Sequence, residues 1–138
     1  MPFLDDLVTE LEDAGVGTWG TNLFTSTRAE IPVLASGEAT LQLIETGGTS
    51  PENTQNALGQ PAFMRPSAQV LARAKSKVQA EAMAWDAFRV LFRVRNKFIN
   101  SGWYRDIKPL QAPIDLGLDD RGQIKYGFNV IAAYNRRD

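Results

Sequence analysis

From Ser76 to about Phe98 the sequence predicts one long helix carrying more apolar surface than a single core can cover. At about 100° per residue, Val78, Ala82, Trp85, Phe88 and Phe92 gather on one side. Met83, Ala87, Val90, Leu91 and Val94 gather on another, roughly 150° around the cylinder. A polar stripe of Asp86, Arg89, Arg93 and Lys97 runs between them. One apolar face packs on the chain's own core, and the other needs a second cover. In a chain of 138 residues that cover is expected to be another copy of the protein. The expected subunit contact uses Met83, Val90, Leu91 and Val94, with Arg89 and Arg93 beside them.

The length suits one domain, residues 1–138, with a proper core. The absence of cysteine excludes disulfides, thiolate catalysis and thiolate metal sites. The absence of histidine removes the commonest general base, the commonest metal ligand and the physiological pH switch. No apolar run is long enough to span a membrane, and no basic-then-apolar leader is seen, so folding in a cytoplasm is expected.

A net charge of −1 conceals a strong segregation. Residues 1–64 hold nine acids against the single base Arg28, whereas residues 65–97 hold eight bases against Glu81 and Asp86. Such segregation fits a basic nucleic-acid face, complementary surfaces that join copies head to tail, or ion pairing within one fold.

Along the chain, Pro2 to Asp13 predicts a first helix, with Phe3, Leu4, Leu7, Val8 and Leu11 as its apolar stripe. Strands are expected over Thr21–Thr27, Thr40–Thr46 and Phe63–Ala74, with Ile31-Pro32-Val33 as an edge or connector. Residues 47–60, rich in Gly, Pro, Ser, Thr and Asn, read as a long loop that is either functional or mobile. After the long helix come β segments over 103–109, 113–118 and 123–135, the last two joined by an Asp119–Gly122 turn. The expected fold is α+β: a mainly antiparallel sheet of four to five strands with two helices packed on one face.

Several patterns invite chemistry that their context does not support. Gly15-x-Gly17-x-x-Gly20 has dinucleotide-fingerprint spacing, but a helix precedes it and a strand follows, the reverse of what phosphate binding needs. Asp115, Asp119 and Asp120 lack the alternation and closing Glu of a calcium loop and read as turn residues. Asp5 and Asp6 are adjacent on a helix and cannot converge as a carboxylate pair. Arg89, Arg93 and Lys97 could track phosphates, although Asp86 lies one turn from Arg89 and can pair with it. Trp19, Trp85 and Trp103 read as core or interface anchors. No nucleophile–base pair, metal cluster or phosphate loop is found, so neither enzymatic activity nor a metal or other cofactor is expected.

The succession Leu43-Ile44-Glu45-Thr46-Gly47-Gly48, Phe63-Met64-Arg65-Pro66-Ser67-Ala68-Gln69-Val70 and Ala72-Arg73-Ala74-Lys75-Ser76 resembles a tailed-bacteriophage family of tail terminator, or minor capsid (tail completion), proteins. Leu110-Gln111-Ala112-Pro113, Phe128-Asn129-Val130, the Phe3–Leu7 helix and Gly17–Phe24 fit the same family in the same order. The resemblance implies a structural virion protein that assembles, usually as a hexameric ring, at the head-proximal end of the tail tube. There it would stop tube polymerisation and dock the head completion or connector protein, with DNA only passing through the lumen and no membrane involved. The 47–60 loop, with Thr49, Glu52, Asn53 and Gln55, would contact the tube or connector. A head–tail stopper or adaptor, a tail tube subunit, or a DNA-binding module are the alternatives.

Overall fold

The computed structural model describes residues 2–25, 39–47, 64–100 and 102–136. Helix α1, Pro2–Asp13, buries Phe3, Leu4, Leu7 and Leu11, the stripe set by helical spacing. It stops where Gly15 takes φ +80°, with Val16 N–H bonded to Leu11 O and Gly15 N–H to Glu12 O, a Schellman closure. The Gly15–Gly20 segment therefore joins a helix to a strand, as its sequence context required.

The strands are β1 (Leu23–Thr25), β2 (Thr40–Glu45), β3 (Ser67–Ala74), β4 (Arg95–Ile99), β5 (Gly102–Pro109), β6 (Ile114–Leu118) and β7 (Ile124–Arg136); helix α2, Lys77–Phe92, lies between β3 and β4. They form one seven-stranded sheet in the order β1-β2-β3-β7-β5-β4, with β6 on β7. The fold is α+β, but the expected mainly antiparallel sheet of four to five strands is corrected in two respects. Among the described residues it has seven strands, and it is mixed, because β1 runs parallel to β2. Residues 124–127 of β7 pair with both β3 and β6, so β6 lies along the same edge of β7 as β5 does.

Register explains the core. Leu43 pairs with Val70 and Val70 with Phe128, while Leu41 pairs with Ala72 and Ala72 with Tyr126. This face shares one buried cluster with Phe3, Leu7 and Leu11 of α1 and with Ala80, Ala84, Ala87 and Leu91 of α2. Where α1 meets the sheet, the Phe3, Tyr104 and Tyr134 rings stack, Tyr104 and Tyr134 at 4.9 Å. The Tyr104 hydroxyl donates to the buried Asp6 carboxylate at 2.6 Å, and Asn100 Nδ2 donates to it at 2.8 Å. A charged group inside the core is thereby satisfied.

The long helix ends at Phe92, six residues earlier than the periodicity suggested. Arg93 closes it, Val94 turns into the core, and Asn96 and Asn100 take left-handed φ values of 49° and 54°. The chain from Arg95 to Ile99 becomes β4, whose Lys97 reaches Glu10 of α1 at 2.8 Å.

Candidate assembly interface

Helix α2 presents two unequal flanks. Ala80, Met83, Ala84, Ala87 and Leu91 point into the core. Asp86, Arg89, Val90 and Arg93 share a crevice with Ala14, Gly15 and Val16, the turn that follows α1. Trp85, Phe88 and Phe92 lie roughly 150° around the axis from Asp86 and Val90, at about 100° per residue. Their rings form a ladder: Trp85 to Phe88 at 5.2 Å and Phe88 to Phe92 at 5.8 Å. Phe88 is half-buried, edge-on against Phe128 at 5.5 Å. Phe92 remains 50% exposed and Val78 75% exposed. Guanidinium groups roof this stripe, Arg89 at 5.8 Å from the Trp85 ring and Arg95 at 5.9 Å from Phe92.

The residues expected at a subunit contact are thus divided. Met83, Leu91 and Val94 are buried by the chain itself and offer no surface to a neighbour in this conformation. Val90 is half-buried, whereas Arg89 and Arg93 are exposed. The physical reason is packing: the flank bearing Met83 joins the common core with α1 and the sheet, and Val90 lies beside the turn that follows α1, which leaves the aromatic flank the more open one. The polar stripe is also shorter than expected, since Lys97 is in β4 and engaged with Glu10. Thr49, Glu52, Asn53 and Gln55 lie outside the described residues.

A second open surface is the strand β6. Gly127, the partner of Ile114, alternates with Phe128 along β7, and a Cβ there would meet Leu116 Cδ1, so Ile114 and Leu116 lie on the face of the sheet opposite Phe128 and α2. Every residue of β6 is exposed, including Ile114, Leu116 and Leu118, and among the described residues β6 pairs only with β7. Edge strands are ordinarily protected by lysine, bulges or charge. Strand β4 follows that rule, with Arg95, Lys97 and a left-handed Asn96. Strand β6 has a bulge at Asp115–Gly117 but no cation, and its side chains are largely apolar. Alternating Ile114, Leu116 and Leu118 was the available sequence signal for this edge, because no partner strand would cover them.

A third feature lies on the other side of α1. Trp19 is 51% exposed, and its backbone N–H donates to Glu12 Oε2 at 2.9 Å. It closes a cleft whose other walls are Asp5, Val8, Thr9 and Glu12. Trp103, in contrast, is half-buried against Phe98 at 4.9 Å.

The acidic turn residues have the local roles expected of them. Asp115 Oδ1 accepts Gly117 N–H at 2.8 Å, and Asp119 Oδ1 accepts the N–H groups of Arg121 and Gln123. Asp119 also faces Arg73 at 3.6 Å; burial pulls the Arg73 pKa down, opposed by Asp119 and Asp120. Among the described residues no cluster of three metal-ligating side chains occurs, and no helix is long and apolar enough to cross a membrane.

A chain whose described residues leave open an aromatic helix flank and an unprotected strand edge has the surfaces of an assembly subunit. The chain belongs to the bacteriophage tail terminator protein family, whose sequence model matches residues 10–136. It is accordingly a structural protein of the phage tail and a virion component. No curated protein matches the chain.

Proposed function

We propose that this protein closes the head-proximal end of a phage tail tube as a ring of six of its own copies, ending tube growth and presenting the surface that joins the head. Family membership supports the place in the tail, and the open aromatic flank of α2 together with the exposed edge of β6 supports the ring. In the ring, Val78, Trp85 and Phe92 with Arg89 and Arg93 meet the next copy. Each subunit contributes one distinct patch and receives another, the heterologous arrangement that closes when its rotation divides a circle. The 47–60 segment, with Thr49, Glu52, Asn53 and Gln55, contacts the tube or the connector, and DNA passes through the lumen. Function is recognition, with no catalytic step, and assembly takes place in the host cytoplasm.

Phage lacking this protein tests the reading. Tubes of uncontrolled length without heads are expected, restored to uniform headed tails when the protein is supplied in trans. Tails of normal length that bear heads would overturn it.

A further inference from the structure

Helix α2 and strand β6 each leave apolar side chains open, on opposite sides of one subunit. On α2, Val78, Trp85 and Phe92 recur every seven residues, so at about 100° per residue they hold to one line along the helix. That line lies roughly 150° from the buried Ala80, Met83 and Ala87, and so faces away from the sheet. Val78 and Phe92 are exposed on it, with the exposed Ala82 between them. On β6, Ile114 and Leu116 are exposed on the face of the sheet turned from α2. Leu110, also exposed, borders them through its N–H bond to Asn129, two residues from Gly127 in β7. The one charge in β6, Asp115, pairs in register with Tyr126 and so lies on the other face.

Neither surface can cover the other within one copy, because the sheet lies between them. Strand pairing between copies is opposed at each described edge. Leu23 in β1 has its N–H bonded to Thr18 O and its carbonyl to Gly20 N–H. Strand β4 carries Arg95, Lys97 and the left-handed Asn96. Strand β6 is bulged, and Asp115 holds the Gly117 N–H, so β6 offers side chains rather than a ladder. A sheet face bearing Ile and Leu is stably covered by a helix, the layering of this subunit's own core. The α2 stripe has the length for it: about 21 Å from Val78 to Phe92 at 1.5 Å per residue, against about 13 Å for Ile114–Leu118 at 3.3 Å per residue. Arg89 at its margin is paired with Asp86 of its own copy at 3.1 Å, which leaves apolar contact to carry the fit.

We infer that the Val78–Phe92 stripe of one copy packs across Ile114 and Leu116 on the back of the next copy's sheet, supplying the helix that β6 lacks on that face. This rests on the ring reading and names the two unlike patches that a heterologous ring requires. Because the patches lie on opposite sides of each subunit, the contact repeats in one direction from copy to copy.

The chain has no cysteine, so introduced thiols report the pairing directly. Ala82→Cys and Leu116→Cys, both at exposed positions, are made singly and together in the full chain. A short bismaleimide should join the double variant into a ladder reaching the whole ring in denaturing gels, whereas each single variant keeps the mass of one chain. Diluting the double variant until rings dissociate should abolish the ladder. Leu116→Asp should raise the concentration needed for rings at least about 100-fold, because its carboxylate would be buried under the stripe. Circular dichroism melting identifies a variant that fails to fold; Ile114→Cys and Ile114→Asp then take the place of the Leu116 changes. Rings whose double variant links no better than the single ones, or that tolerate the aspartate, would overturn this pairing and leave the ring reading standing. A wild-type protein that forms no ring would overturn the ring reading itself.

Discussion

Two adjacent residues on α2 separate folding from assembly. Leu91 is fully buried and Phe92 is half exposed, although both are large, apolar and in the last turn of the helix. Truncating Leu91 to Ala removes buried methyl groups and leaves a cavity, which costs about 3 kcal/mol within the usual 2–5 range. For a chain of 138 residues that lowers Tm by roughly 10 °C. Phe92→Asp has a different signature. In the isolated subunit the ring is only partly covered, so the change costs about 1 kcal/mol. In a closed ring it forfeits about 1 kcal/mol of further apolar burial and forces a carboxylate out of water, together above about 3 kcal/mol per contact. Association then weakens more than about 100-fold. Urea unfolding of the dilute subunit and light scattering across a concentration series read the two quantities separately. The reasoning is refuted if Leu91→Ala disperses rings at unchanged stability, or if Phe92→Asp leaves their concentration dependence intact.

Other substitutions follow from individual contacts. Tyr104→Phe removes the buried donor to Asp6 and should lower stability by about 2 kcal/mol in urea unfolding, with ring geometry retained. Gly127→Ala should cost about 1–3 kcal/mol, because an added Cβ would sit 2.8 Å from Val70 O in the adjacent strand. Leu118→Lys, at a side chain 67% exposed on the open edge, should shift subunit Tm by no more than a degree or two while reducing self-association in light scattering. Lys97→Ala breaks a pair whose lysine is 45% exposed and should cost less than about 1 kcal/mol, read from the same unfolding curves.

Much of the architecture was legible because it is written in local periodicity. The α1 stripe, the Leu41/Leu43 alternation, the Tyr126–Phe128–Val130 face and the Asp119–Gly122 turn all follow from spacing and turn chemistry. Two features escaped for physical reasons. Strand β4 was hidden because Arg89, Arg93 and Lys97 continue a helical spacing past the real end; the contrary signals were Asn96 and Asn100, residues that tolerate left-handed φ. The parallel β1–β2 pairing was hidden because β1 is three residues long and periodicity carries no strand direction.

The candidate site shows the same limit more sharply. A helical wheel gives the angle between two apolar faces but not which face the rest of the chain will cover. That choice depends on a segment distant in sequence, the turn after α1, whose Ala14, Gly15 and Val16 lie across a crevice from Val90. The surplus apolar surface was therefore readable, and its residues were not. Arg89 and Arg93 remained at the surface because charged side chains are seldom buried whichever flank is covered.

Negative-stain imaging of the pure protein, with its mass measured on the same sample, decides whether copies close on one another. Closed annuli of uniform diameter are expected, with the mass of six chains and no lengthening as concentration rises. Particles of single-chain mass at every concentration, or open tubes that grow without limit, would contradict it.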